Sequence, residues 1–286
     1  MIPYAARTHP GLRRSKNEDN YAVDPERGLW VVADGVGGHT NGEVASAIAC
    51  DTIIEDVAKG IDLRSAIEHA HQSVLREIER REANNNMGTT VVALQLQGKR
   101  YKVAWVGDSR AYAYDGELSQ LTRDHSAVND LLDSGAITQA QAATHPQRHA
   151  LSRSLGVSDN NESSVSVVEG TLKNGTQILL CTDGLTDELK DQAIHKELSH
   201  ATDNEAQAEG LLNAALAKGG RDNLTVVIVG NPGARKATAA KETPDLETTQ
   251  NIGGVEIPKS SGKRTLLWQL VALVSLLALA GVSLFN

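Results

Sequence analysis

The chain has 286 residues, 40% of them hydrophobic, with 28 basic and 36 acidic side chains and a net charge of −8, enough apolar material for one large core. The acidic residues are spread along the chain with no basic stripe, which excludes nucleic acid as the main partner. Cys50 and Cys181 fit no CxxC or zinc spacing, so they point to a reducing compartment and to packing roles.

In chain order, residues 20–23 and 29–33 flank the turn DPERG and read as a hairpin. A glycine-rich turn then leads into a helix over 43–58. A second helix over 63–83 places Leu63, Ile67, Ala70, Val74 and Ile78 on one stripe at steps of three and four. Residues 91–96 and 101–106, around QGKR, form a second hairpin, and 111–114 turns through Asp115-Gly116, a pair that tolerates positive φ, into a further strand. Residues 122–156 are a mixed insert: Ser126 caps a short helix ending near Gly135, and TQAQ at 138–141 is a capping box opening another. Strands at 164–168, 177–181 and 224–229 complete the set. Sequential hairpins with helices set apart from them imply an α+β fold of mostly antiparallel sheets covered by helices.

Beyond residue 230 the apolar periodicity stops, and 231–265 reads as a polar, flexible linker after a folded domain of residues 1–230. Residues 266–285 carry no charge, and at ~1.5 Å per residue they reach ~30 Å, the thickness of bilayer hydrocarbon. Lys259, Lys263 and Arg264 precede this stretch and nothing basic follows it. The positive-inside rule therefore predicts a single-pass transmembrane helix in the inner (cytoplasmic) membrane, with the folded domain in the cytoplasm.

Two apolar runs end alike, WVVADG at 30–35 and ILLCTDG at 178–184. Asp19 precedes one strand of the first hairpin and Asp34 follows the other, so both lie at its open end. Asp183 ends a strand and Asp222 begins one, and in an antiparallel sheet those positions adjoin. Asp108, in VAWVGDSR, ends a third apolar strand. Two carboxylates ~4 Å apart repel by about 4 kcal/mol at an effective dielectric of ~20, so their convergence requires positive charge among them. Oxygen ligands without His or Cys suit Mg²⁺ or Mn²⁺, and Gly35 and Gly184 leave room for carbonyls and waters beside such ions. Two ions ~3.5 to 4 Å apart can share a bridging water, lower its pKa and hold it in line with a phosphorus atom. Arg14, four residues before Glu18, brings a guanidinium fork that matches two phosphate oxygens. A nucleotide-binding reading of GVGG fails, because GxGxxG requires glycine where Thr40 stands.

Taken in order, RRSKNEDN, VVADGVGGHTNGEVAS, GTTVVAL, VGDSRAY, LTRDHS, HPQRHALSRSLG, LLCTDGLTDEL and DNLTVVIV resemble the metal-dependent protein phosphatases of the protein phosphatase 2C-like (PPM) family in their bacterial form, over about residues 9–230. The resemblance implies a four-layer αββα sandwich of two mostly antiparallel sheets flanked by helices. It further implies a binuclear Mn²⁺ or Mg²⁺ site and phosphoserine or phosphothreonine proteins as substrates, hydrolysed by a water bridging the two metals in opposition to a cognate serine/threonine kinase. Carried over by residue, Asp34 bridges the metals, Gly35 offers its carbonyl, Asp183 and Asp222 complete the shell, Glu18 holds a metal-bound water and Arg14 binds the substrate phosphate. Asp108, with Asp183 or Asp187, holds a weaker third metal, and 122–156 is the flap beside the cleft. Many eukaryotic members place a histidine directly after the Asp-Gly pair; here that residue is Val36, with His39 nearby but out of register. His39 and metal-bound water are thus the alternatives for the general acid, and His125 is expected to brace the flap. The contrasting expectation is a catalytically weak phosphoprotein-binding or sensor module on the same fold. In the linker, Thr248 and Thr249 sit in the acidic segment ETPDLETTQ, where phosphorylation would create a ligand for a phosphothreonine-reading domain.

Overall fold

An unbroken apolar run fits a strand only where both of its faces are covered, and the fold covers them. The computed structural model describes residues 2–36, 41–81, 87–142, 144–147, 150–157, 165–201 and 203–231. His39, Thr248, Thr249, the 266–285 segment and nearly all of the linker lie outside the described residues. The elements run β1 Tyr4–His9, β2 Asp19–Asp24, β3 Leu29–Val36, α1 Gly42–Ala58, α2 Leu63–Arg80, β4 Gly88–Thr89, β5 Val91–Gln97, β6 Arg100–Val106 and β7 Arg110–Tyr114. They continue with β8 Leu118–Gln120, α3 Ala127–Asp133, α4 Gln139–Ala142, β9 Ser166–Thr171, β10 Gln177–Cys181, α5 Asp183–Thr186, α6 Asp191–His200, α7 Asn204–Lys218 and β11 Leu224–Val229.

One sheet has the order β1-β11-β10-β7-β8 and the other β2-β3-β5-β6-β9, with β4 added beside the end of β3. The pairings are antiparallel. Alternate residues of each central strand enter different cores, as the two-residue period of a strand requires. Leu29, Val31 and Ala33 of β3 pack with α1 and α2 through Ala49, Ile53, Ala66, Ile67 and Ala70. Trp30 and Val32 of the same strand face Ile178, Leu180, Val227 and Val229 of the opposite sheet. On the far side, Leu179, Cys181, Leu224, Val226 and Ile228 pack against Ile194 and Leu198 of α6 and Leu211 and Ala215 of α7. The layers therefore run helices, sheet, sheet, helices, an α+β architecture.

The hairpins fall where the sequence places them. Asp115-Gly116 is a turn, with Gly116 at φ +111, and the Asp115 carboxylate pairs with Lys173 at 3.1 Å, away from the other aspartates. Ser126 accepts from Asn129 N at 3.3 Å to cap α3, and Thr138 and Gln141 exchange the two bonds of a capping box ahead of α4. The two ends of this insert are tied to each other, and the later one to β4. Ser152 N donates to the carbonyl of His125 at 3.0 Å, and Leu155 and Thr89 exchange backbone bonds at 2.8 and 3.0 Å.

Five elements were not foreseen: β1, β4, α5, α6 and α7. β1 closes the edge beside β11, and α6 and α7 cover the outer face of that sheet. α7 hides its stripe because Asn204 and Gln207 are among its buried residues. Gln177 Nε2 donates to both of their side-chain oxygens at 2.7 and 2.6 Å, so a polar network stands where the pattern calls for apolar residues.

Candidate metal centre

The site forms at the end of the sandwich where β2 and β11 begin and β3 and β10 finish. Asp19 opens β2, and its cross-strand partner in register is Asp34 of β3. Side chains directly opposite on an antiparallel pair lie on the same face, so the ladder alone brings these two carboxylates together. Asp34 lies within β3 rather than beyond it, because β4 prolongs the strand by pairing Thr89 with Gly35 and Gly88 with Val36. The Asp34 backbone is clamped on both sides. Its N–H donates to Thr90 Oγ1 at 3.2 Å, and its carbonyl accepts from Thr90 N at 2.8 Å and Thr89 Oγ1 at 2.9 Å. Thr90 Oγ1 in turn shares a 2.7 Å bond with Ser109 Oγ, so the GTT and GDSR blocks fix the position of this one aspartate.

Asp183 does not end its strand. β10 stops at Cys181, Thr182 is the N-cap, and Asp183 is the first residue of α5. The glycines that follow the two aspartates admit neighbouring backbone. A Cβ on Gly35 would lie 2.3 Å from the Gly42 carbonyl and 2.6 Å from that of Glu18, and one on Gly184 would lie 1.9 Å from the Asn223 carbonyl. Each glycine lets a neighbouring main chain press against the site.

Asn223 organises the segment that carries Arg14 and Glu18. Its amide nitrogen donates to the Pro10 and Lys16 carbonyls at 3.0 and 2.8 Å, while its oxygen accepts from Glu18 N at 2.8 Å. The Glu18 carbonyl receives Gly35 N at 3.2 Å and Ser46 Oγ at 2.7 Å. Arg14 Nη2 donates to Asp222 Oδ2 at 2.6 Å, so the two residues foreseen as phosphate binder and metal ligand are paired with each other.

The electrostatics are those of acids crowded out of water. Burial, followed by the neighbouring charges of Asp19, Asp183 and Asp108 and by the Asp183 side chain, raises the Asp34 carboxyl well above its usual range. Burial pushes Asp19 up to about 7 against the opposing bonds from Thr225 and Thr182. Asp108, two residues past the end of β6, is raised to about 8 by burial and then by Asp183 and Asp124. It shares a cavity of about 290 Å³ with Asp183, Asp187, Asp124, Arg110 and residues of α3 and α4. Arg110 holds Asp124 through both carboxylate oxygens, at 2.9 and 2.7 Å, which fixes the start of the insert. His125 braces the same segment. Its Nδ1 accepts from Gly107 N at 3.2 Å and its Nε2 meets Ser166 Oγ at 2.9 Å, while burial lowers its pKa to about 4 and keeps it neutral. Burial pushes the Cys181 thiol up to about 12 and raises Cys50 as well, consistent with their packing in the cores and not with nucleophilic work.

A family model for protein phosphatase 2C matches residues 13–219. The chain belongs to the protein phosphatase 2C family. Among curated relatives of that family, the serine/threonine protein phosphatase PstP of Mycobacterium tuberculosis is 37% identical over 235 residues, covering 80% of this chain. The match spans only 45% of that relative's length. The serine/threonine phosphatase stp of Listeria monocytogenes is 35% identical over 237 residues, 78% of this chain and 93% of the relative. A crystal structure of the PstP catalytic domain in complex with two manganese ions superposes with a TM-score of 0.70 at 33% identity, covering 80% of this chain and 97% of that one.

The donor chemistry of this protein phosphatase 2C chain suits hard divalent cations. The groups that converge are carboxylates and carbonyls, and Asp19 Oδ1 is buried with no hydrogen-bond partner. Among the described residues no three His, Cys, Asp or Glu side chains are drawn tightly enough to cage an ion as they stand. The Arg14 contact holds Asp222, and threonine hydroxyls hold Asp19. Asp19 is the residue that sequence reasoning used for geometry but did not assign to the site. The signal that could have placed it there is its register opposite Asp34.

Proposed function

We propose that this protein phosphatase 2C chain is a metal-dependent serine/threonine protein phosphatase that takes two Mn²⁺ or Mg²⁺ ions and hydrolyses phosphoserine and phosphothreonine proteins. The observation that carries the reading is the crowding of buried carboxylates, with Asp34 in register opposite Asp19 and one oxygen of Asp19 without a partner. Acids packed this closely require positive charge, and oxygen-only donors select hard cations. The serine/threonine phosphatases PstP and stp and the two manganese ions of the PstP catalytic domain support the same reading.

In this reading Asp34, the Gly35 carbonyl, Asp183 and Asp222 would hold the two ions, and Glu18 would support them through a water. Asp108, with Asp183 or Asp187, would hold a weaker third ion at the cavity the three share. When bound, the cations neutralise the carboxylates and activate water for attack on phosphorus. Arg14, whose Nη2 lies 2.6 Å from Asp222 Oδ2, would orient the substrate phosphate with its guanidinium fork. His39 and a site water are the two candidate proton donors to the leaving seryl or threonyl oxygen. Phosphopeptide hydrolysis by the chelator-stripped protein tests the reading: turnover is expected only after Mn²⁺ or Mg²⁺ is restored. Arg14→Ala should raise KM about tenfold, as expected for loss of a charge-assisted contact. Undiminished turnover in excess chelator would defeat the metal mechanism.

We further infer that residues 1–230 form the catalytic domain, that 231–265 is a linker, and that 266–285 spans the inner membrane once, leaving the catalytic domain in the cytoplasm. The uncharged length of 266–285 and the basic residues before it support this. Among the described residues no helix is long and apolar enough to cross a membrane. Full-length protein should resist alkaline carbonate extraction from membranes, whereas a chain truncated after residue 230 should be released; extraction of both would remove the anchor. The same reading assigns the enzyme to oppose a cognate serine/threonine kinase, with Thr248 and Thr249 as phosphosites that recruit a phosphothreonine-reading domain. Phosphopeptide mapping from cells that repeatedly recovers this segment unmodified would remove that role.

A further inference from the structure

We propose that Thr182 and Thr225 are positioning residues for the cation site: their hydroxyls hold Asp19 Oδ2 so that its other oxygen, Oδ1, is presented to a divalent ion. The inference rests on the proposed function and adds to it a part played by the opposite sheet. Asp19 belongs to β2, whereas Thr182 follows β10 and Thr225 lies in β11. The contact therefore bridges the two sheets.

The direction of every bond follows from counting hydrogens. Thr182 Oγ1 donates to Asp19 Oδ2 at 2.9 Å and Thr225 Oγ1 donates to the same oxygen at 2.7 Å. A hydroxyl carries one hydrogen, so Thr225, having given its own to Asp19, accepts from Thr8 Oγ1 at 2.8 Å. Thr8 accepts in turn from Asn17 Nδ2 at 2.8 Å. Thr182 Oγ1, with its hydrogen committed, accepts Thr225 N at 3.0 Å. The network is thus a one-way relay from Asn17, in the segment that carries Arg14, inward to Oδ2. That oxygen receives two donors while Oδ1, on a side chain only 8% exposed, receives none among the described residues.

A buried polar atom is ordinarily paired, and an oxygen kept bare while its twin is doubly bonded is available to a ligand of another kind. The carboxylate torsion of aspartate is broad and nearly two-fold. With one threonine hydroxyl gone, Oδ1 can rotate toward the donor that remains, and the oxygen offered to the cation is withdrawn. Hydrogen-bond partners of metal-binding side chains act on affinity in this way, by about 10- to 100-fold.

Manganese titration calorimetry on the full-length protein tests the proposal, using Thr182→Val, Thr225→Val and the corresponding serine substitutions. Each valine, similar in shape to threonine but without the hydroxyl, should weaken manganese binding about tenfold, and each serine should return it to within about twofold of wild type. Serine rescue separates positioning from simple packing, because serine restores the hydroxyl and not the methyl group. Wild-type affinity in both valine variants would overturn the proposal, whereas a wild-type protein that binds no manganese would overturn the proposed function instead. If the valine variants do not fold, Thr8→Val decides. It removes the donor that commits the Thr225 hydrogen to Asp19, so affinity should still fall several-fold, and an unchanged affinity would reject the relay.

Discussion

Asp34→Asn is expected to lower kcat/KM for a phosphopeptide by about a thousandfold or more while the metal-free protein stays folded. A proposed ligand of the two cations is lost, and the transition-state stabilisation those cations supply is worth several kcal/mol, at about 1.4 kcal/mol per tenfold in rate. The fold should survive because the structural work of this residue is done by its backbone. Thr89 and Thr90 hold its N–H and carbonyl whatever the side chain is. The replacing amide can also donate to the Asp183 side chain without itself titrating. In the absence of metal the variant should therefore melt no lower than wild type at alkaline pH. Parallel kinetics and thermal melts decide the matter: wild-type turnover with manganese would sink the assignment, and a variant unfolded at ambient temperature would contradict the stability argument.

The second large effect is on stability. Asp19 at about 7, Asp108 at about 8 and Asp34 well above the usual range all hold protons in the metal-free fold that an unfolded chain, with carboxyls near 3.8, releases far earlier. Between those values folding takes up protons, so stability is fully present below about pH 4 and is lost as the pH rises through 7 to 8. With chelator present, the melting temperature should fall by about 5 to 10 °C between about pH 5 and pH 8.5, since each kcal/mol shifts the midpoint of a domain this size by about 2 to 4 °C. Manganese binds only the folded, ionised cluster and should reverse the loss, raising the melting temperature more at the alkaline end than at the acidic end. Scanning fluorimetry across a pH series, with chelator or with manganese, reads both slopes. A metal-free melting temperature that climbs toward alkaline pH would mean that these acids are not crowded at all.

What could be read from the chain divides by the range of the interactions. The hairpins, the Ser126 cap and the Thr138–Gln141 box were legible because each depends on residues within a few positions of one another. The pairing of Asp19 with Asp34 followed from a single hairpin. α7 was not legible, since buried Asn204 and Gln207 are satisfied by Gln177, which is 27 and 30 residues away, and by the Gly230 and Leu198 carbonyls. Nor were the reasons for Gly35 and Gly184. Their hydrogen side chains admit the Gly42 and Glu18 backbone and the Asn223 carbonyl, neighbours that no local pattern announces.

The amino-acid order by itself determined which acids lie close to apolar strands, which strands are apolar on both faces, and the donor chemistry that any ion here must accept, because composition and alternation are properties of the chain. Only the packed molecule decided that Asp183 begins a helix, that Arg14 reaches Asp222, and that Thr182 and Thr225 meet Asp19 across the two sheets. The last of these joins positions 163 and 206 residues apart. Such contacts form because two separately built sheets bury their inner faces against each other, and that burial sets which polar atoms at the shared edge come within bonding distance.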